Sequence, residues 1–370
     1  MPNDEPQRLP KGRVMSIDAL RGFDMFWIIG GGAIFRSLHE VFNSPATAWI
    51  DRQLSHVEWE GFQPWDLIMP LFLFVVGVVM PFAFNKRLAR GDSKRQLYFH
   101  VVKRTVILWV LGMIAAGHLL DYDLAELHIY NNTLQAIAAG YFISAIIILN
   151  MRLVGQVLTT AILLLVFWAL MVLVPVPGQG QVLLARDANL ALSIDTFILG
   201  RYYAGNGYTW VLSSMTFACT VMLGVMAGDL LRWEKSSRAK VLWLLTAGVA
   251  CLLIALLWHT WFPIIKRIWS SSFVLFSGGL CYLLLALFYL VIDVWGFKKW
   301  AFGFVVIGMN AIAVYMATHV FNFRHIGDIF VDGLDKYVGN WNPFIHTVAA
   351  FVVIWLILWW MYRKRSFIKI

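Results

Sequence analysis

The chain has 370 residues, of which 60% are hydrophobic and only 14% charged, against about 25% charged in an ordinary soluble domain. A soluble protein of this size could not bury that surplus and still present a polar surface, which excludes a soluble enzyme, a disordered chain and a disulfide scaffold. The formal charge of +9 would suit a nucleic-acid partner, but the placement of the charges along the chain assigns it to membrane topology instead.

The first 21 residues hold no apolar stretch of signal-peptide type, so the first hydrophobic segment is expected to remain as a span. Apolar blocks then follow at roughly 22–38, 66–84, 104–120, 131–150, 155–174, 212–231, 239–258, 272–292, 299–320 and 344–362. Each is long enough to cross a hydrocarbon core of about 30 Å as a helix. The sequence therefore predicts an all-α, polytopic membrane protein with about ten transmembrane helices. The expected division is a cytoplasmic segment 1–21, one transmembrane domain 22–362 and a basic cytoplasmic tail 363–370. Cys219, Cys251 and Cys281 all fall inside apolar blocks, with no spacing that suggests a bridge or a metal, and no metal is expected.

Orientation follows from lysine and arginine. With both termini on one side, the segments on that side carry 22 Lys and Arg, and the segments on the other side carry 8. The positive-inside rule makes the first side cytoplasmic; the expected location is the cell inner membrane. The run KRLARGDSKRQLYFHVVKR after the second span is the strongest marker, while Lys266 and Arg267 in the loop 259–271 run against the rule. The large outward segments are then 39–65 and 175–211, longer than simple helix connections need. The second reads as a surface or re-entrant helix followed by a polar turn.

Several polar residues are costly where they stand. Asp24 lies within the first span, three residues after Arg21; it either pairs with Arg21 on one helix face or forms the charged wall of a cavity. Gly30, Gly31 and Gly32 permit close packing or a break in the helix. His56, in the first outward segment, is followed by Glu58, Trp59, Glu60, Trp65 and Asp66. Imidazole can exchange a proton or accept an acyl group near neutral pH, and one of these carboxylates could orient it. Asp66 can also serve simply as a helix cap. Asn310 and His319 stand nine residues apart in the ninth span, so on an unbroken helix they share one face about 13.5 Å apart. His118 and His128 occupy outward positions with less to distinguish them. These residues fit a membrane transferase and an ion-coupled transporter about equally.

The stretches RVMSIDALRGFDMFWIIGGG (13–32), HVEWEGFQPWDLIMPLFLFVVGVVMPF (56–82), GYTWVLSSMTFACTVMLGVMAG (207–228) and VIGMNAIAVYMATHV (306–320) together resemble the heparan-alpha-glucosaminide N-acetyltransferase family, including its bacterial NagX-like branch of transmembrane acyltransferases. The resemblance implies transfer of an acetyl group from cytoplasmic acetyl-CoA to the amine of a glucosamine-type sugar on the far side. The family's functional histidine matches His56 through H-x-x-W-x-G-x-x-x-x-D, with Trp59, Gly61 and Asp66 on the matching positions. The lysosomal branch has an asparagine two positions before its glycine triplet, where this chain has Ile28. On this reading His56, Asp66 and, as an oxyanion donor, Asn310 carry the chemistry. Arg21, Asp24 and Arg104 flank acetyl-CoA, and Glu58, Trp59, Trp65 and His319 meet the sugar. The implied partners are the amino sugar, acetyl-CoA, membrane lipid and, as a further option, a second copy in a homodimer, with no nucleic acid. A transporter of N-acetylglucosamine or related amino sugars is the alternative, and a scaffold in envelope polysaccharide metabolism a third.

Overall fold

The computed structural model describes residues 14–368; most of the expected N-terminal segment and the last two residues of the tail lie outside the described residues. The chain begins with α1 (Met15–Phe26), passes through a π-helical turn at Trp27–Gly31 and continues as α2 (Gly32–Phe42). A short helix α3 (Pro45–Gln53) follows, then α4 (Ile68–Leu88), α5 (Lys94–Ala116), α6 (Thr133–Asn150) and α7 (Leu153–Leu173). The outward segment 175–211 contains a two-residue antiparallel pairing, Leu184–Ala185 with Ala188–Asn189, and the helix α8 (Leu190–Leu199). The second half comprises α9 (Ser214–Arg232), α10 (Ser237–His259), α11 (Ser271–Phe288), α12 (Phe302–Gly308), α13 (Ala311–Val320), α14 (Phe323–Val331), the single turn α15 (Asp335–Val338) and α16 (Asn342–Arg363).

Apart from that small hairpin, the architecture is the expected all-helical membrane bundle. Eight helical stretches among the described residues are long and apolar enough to cross a membrane, and a ninth if α12 and α13 count as one span. A tenth crossing requires the interrupted stretch α1–α2, which carries Asp18, Arg21, Asp24 and Arg36 and so is no uniform apolar span. The remaining differences are local. Helix α5 starts ten residues before the apolar block at 104, because the Ser93 hydroxyl caps Gln96 N–H and the amphipathic run LYFHVVKR continues the helix. The ninth block bends by 72° between α12 and α13.

Close helix crossings hold the bundle together. Helix α9 is buried along most of its length and crosses α4 so tightly that a Cβ on Gly77 would lie 2.0 Å from the Val221 carbonyl oxygen. A Cβ on Gly224 would likewise lie 2.0 Å from the carbonyl oxygen of Phe74. Hydrocarbon offers no hydrophobic drive between apolar helices, so this backbone approach supplies packing energy that larger side chains would forfeit. Peripheral faces are different: Leu158, Ile162 and Leu165 on α7 and Leu242, Leu253 and Leu257 on α10 are exposed, as lipid-facing residues should be. Gly224→Val is expected to destabilise the protein by at least the 1–3 kcal/mol typical of overpacking, because the obstacle is backbone. Thermal unfolding in detergent measures this, and an unchanged Tm would contradict the crossing.

Candidate active site

The first outward segment returns to the bundle through a 3-10 turn at Pro64–Leu67, which carries Asp66 into the protein at 1% exposure. Its Oδ2 accepts the Gln63 N–H at 3.1 Å, and Asp66 N–H donates to the Gln63 carbonyl at 2.8 Å. Oδ1 faces His56 Nδ1 at 2.7 Å. A contact that short to a carboxylate requires the proton on Nδ1, so the neutral ring keeps its lone pair on Nε2. The His56 side chain is 42% exposed. The unit is a buried carboxylate orienting a half-exposed imidazole whose second nitrogen carries the lone pair.

The third member is Lys266. Its Nζ lies 3.2 Å from Asp66 Oδ1 and 3.1 Å from His56 Nδ1, in a residue 8% exposed. With Nδ1 donating to the carboxylate it cannot also accept from the lysine, so the ammonium donates to Asp66 and stands beside the imidazole. Burial pulls the Lys266 ammonium down to about 8 from 10.5, with Asp66 opposing the shift.

Backbone pairing brings this lysine across 210 positions of sequence to His56. Gly61 N–H donates to the Ile264 carbonyl at 2.9 Å, and Glu60 pairs antiparallel with Ile265. Gly61 holds φ +118°, a conformation that disfavours any side chain. Trp59 Nε1 donates to the Leu184 carbonyl at 3.2 Å, and Arg267 Nε to the Glu58 carbonyl at 2.8 Å. The spacing H-x-x-W-x-G-x-x-x-x-D thus has a structural content: an imidazole, an anchoring indole, a turn and the carboxylate that orients the imidazole.

Of the other sequence-predicted residues, Trp65 lies nearest, its ring 6.4 Å from the His56 ring, with the Arg36 guanidinium stacked on it at 5.1 Å. Glu58 is exposed and contributes its backbone, while Glu60 approaches His259 at 3.8 Å, so Asp66 alone of the three nearby carboxylates engages His56. Asn310 stands at the break before α13, where its side chain donates to the Ser366 carbonyl at 3.2 Å and accepts from Ile368 N–H at 3.0 Å. The shared face expected for Asn310 and His319 is lost there, because Asn310 has φ −127° and ψ 33° and helical periodicity restarts only at Ala311. His319 is exposed and turned onto its own helix, with Nδ1 2.8 Å from the Tyr315 carbonyl oxygen. The expected Arg21–Asp24 pair does not form: both Asp24 carboxylate oxygens are buried without a hydrogen-bond partner. Arg104 stacks on Tyr141 at 4.6 Å, far along the bundle toward the start of α5. His118 bonds Asp121 at 2.8 Å. Separately, Asp328, Asp332 and His346 bring three ligand atoms within 4.8 Å of one another, and His346 is already bridged between Asp328 and Asp335.

Lys266 gives this site a pH signature. Its depressed value means that between about pH 8 and 10.5 the unfolded chain binds more protons than the folded one, so its contribution to stability rises with pH in that window. The Tm of the parent minus that of Lys266→Met should therefore increase on going from pH 7.5 to about 9.5. A difference independent of pH would contradict the burial of the ammonium.

No family model matches the chain. It is 24% identical to heparan-alpha-glucosaminide N-acetyltransferase of Homo sapiens and 23% identical to that of Mus musculus, over 97% and 99% of its own length. It spans 60% and 62% of the length of those two relatives. The chain is thus a polytopic membrane protein distantly homologous, along nearly its whole length, to the heparan-alpha-glucosaminide N-acetyltransferases.

Proposed function

We propose that the protein is a membrane acetyltransferase that moves the acetyl group of cytoplasmic acetyl-CoA to the amine of a glucosamine-type sugar on the periplasmic side. The observation that carries this reading is the 2.7 Å contact between buried Asp66 and His56, which leaves Nε2 as a positioned base or nucleophile. Two routes use that lone pair. In one, Nε2 takes a proton from the sugar ammonium and passes it to water, the amine attacks the thioester carbon, the C–S bond breaks, and the departing coenzyme thiolate takes up the second amine proton. In the other, Nε2 attacks the thioester carbon, the C–S bond breaks, and the coenzyme thiolate leaves and is protonated. The amine then takes the acetyl group from the imidazole, and its own proton is released. In both, an ammonium held near Asp66 keeps that carboxylate ionised, so the Nδ1 proton stays on the ring.

The opposite end of α4 supports the donor side. A cavity of about 340 Å³ there is lined by Asn85, Lys94, Gln156 and Asp229, next to the basic run that begins α5. Phosphates of the coenzyme would be rejected by hydrocarbon and would meet Lys94 and its neighbours Lys86, Arg87 and Arg95; Asp229 opposes them. A second reading, a transporter of N-acetylglucosamine or a related sugar, draws on the two interrupted helices at Trp27–Gly31 and between α12 and α13, since transporter sites commonly lie at discontinuous helices.

Purified protein with labelled acetyl-CoA and glucosamine should yield labelled N-acetyl product. His56→Ala should lower that rate 10²–10⁴-fold, the usual cost of a positioned acid–base group, while leaving the protein folded and able to bind acetyl-CoA. Asp66→Asn should act in the same direction but less severely. Retention of more than about a tenth of the rate in H56A removes His56 from the mechanism; binding of sugar with no turnover in the parent favours transport. For the orientation, Asp51→Cys and Ser93→Cys should react with an impermeant thiol reagent from opposite faces of the membrane. Labelling of both from one face overturns the assignment.

A further inference from the structure

The break between α12 and α13 holds an asparagine that serves a distant segment and not its own helix. Asn310 immediately precedes α13, the position from which an asparagine side chain ordinarily accepts an N–H of the first turn. It makes no such cap bond. Its carboxamide is engaged by the segment that follows α16. Nδ2 donates to the Ser366 carbonyl at 3.2 Å, and Oδ1 accepts the Ile368 N–H at 3.0 Å. Asn310 is 1% exposed, so both ends of a buried amide are satisfied by this one segment.

The segment is shaped to reach it. At the end of α16, Arg365 N–H donates to the Tyr362 carbonyl at 3.1 Å and Ser366 N–H to the Met361 carbonyl at 2.9 Å, the paired bonds that turn a chain back at a helix end. Arg365 stands at φ +55°, a place usually given to glycine and costly for a side chain with a Cβ. That conformation persists where neighbouring contacts over-determine it. Those contacts are the Asn310 amide and a short aromatic relay. The Phe367 ring lies 6.4 Å from that of Tyr362, which stands 5.6 Å from Phe302 at the start of α12.

The two halves of the ninth span are held differently. Helix α12 is locked on α1, since a Cβ on Gly308 would collide with the Asp18 carbonyl oxygen. Helix α13 leaves it at 72° and packs against the π-helical turn Trp27–Gly31 and α5. Only Met309 and Asn310 join the two, so bending of this span is movement of α13 about those residues. Capping α13 requires Oδ1 to face the N–H groups of Ile312 or Ala313, and turning the side chain that way breaks both bonds to the segment 366–368. The two uses of Asn310 exclude each other.

We propose that Asn310 is a two-position switch on this interrupted span, with residues 364–368 as the strap that sets it. Docked, the strap ties the break to the end of α16 and leaves the first turn of α13 without a cap. Released, it frees the carboxamide to cap α13, which becomes a complete helix able to swing on α12. The device does not depend on the chemistry proposed above, because it fixes the position of α13 whatever passes beside it.

Hydrogen exchange read by mass spectrometry on the full-length protein in detergent tests this. Ile368→Pro removes the N–H that Oδ1 accepts, at a residue 56% exposed and without shortening the chain. Exchange over residues 311–314 should slow by roughly fivefold, the population change equivalent to a gained cap. Asn310→Ala added to Ile368→Pro should reverse that slowing. Asn310→Ala alone should speed exchange over 366–368 and leave 311–314 unchanged, because the side chain does not cap there in the parent. Exchange along α4 and α9 reports whether each variant is folded. Unchanged exchange over 311–314 in Ile368→Pro overturns the switch, as does a folded Asn310→Ala protein whose residues 366–368 stay protected. If Asn310→Ala does not fold, the Ile368→Pro arm decides by itself.

Discussion

The His56 end of this bundle is organised around one carboxylate that cannot be left alone. Asp66 enters the bundle at the first turn of a long apolar helix, where water is scarce and an unpaired charge is expensive. Three requirements follow from burying it. The backbone must cap it, which the turn at Gln63 does; a donor must face it, which is His56; and a cation must neutralise it, which is Lys266. Meeting them forces the segment 56–66 and the loop 259–271 into one ladder, closed by Gly61 and Ile264. The orientation of the imidazole is thus a consequence of solvating Asp66.

How much of this could be read from the chain depends on the range of the interaction. Spans such as α4, α6, α7, α10 and α11 declare themselves by hydropathy alone, because a run of apolar residues has only one way to satisfy its backbone in lipid. The start of α5 was hidden under Lys94, Arg95, Lys103 and Arg104, charges that a helix can carry at a membrane edge by extending them toward water. The break at Asn310 was hidden for the opposite reason: GMNAIAVYMATHV has nothing in its composition that stops a helix, and the bend is imposed by tertiary contacts, among them the tail bonded to the Asn310 side chain. Projecting His319 from Asn310 by helical periodicity failed there.

The same distinction divides the site. His56 and Asp66 are ten residues apart and could be paired from the sequence, although three neighbouring carboxylates competed for the role until geometry chose among them. Lys266 could not be paired with them from spacing, yet it left one trace. Together with Arg267 it breaks the positive-inside pattern, and both turn out to be engaged: Lys266 by Asp66, Arg267 by the Glu58 and Asn206 carbonyls and the Tyr208 ring. Basic residues on the side where topology disfavours them are worth reading as residues with a partner. Asp24 is the converse case. Its sequence neighbour Arg21 offered an evident i,i+3 partner, and the fold leaves the carboxylate buried with no hydrogen-bond partner.

Distance then sets what a transfer across this bundle demands. The 21 residues of α4 span about 32 Å at 1.5 Å per residue, with His56 near one end and the cavity beside Lys94 near the other. The cavity lined by residues from Pro64 to Leu71 overlaps only the first four of those 21 residues, about 6 Å of that axis. A donor anchored by its phosphates at the basic end has to extend its thioester through the rest, between helices packed at van der Waals contact. Uniform helices would resist this, since separating them exposes no alternative packing. The two interruptions, at Trp27–Gly31 in the first helical stretch and between α12 and α13, lie on elements that pack against each other and against α16. At those points helical hydrogen bonding is already irregular, so bending there costs the least new backbone exposure. The stretch that carries Asp24 is therefore also one of the two best built to move.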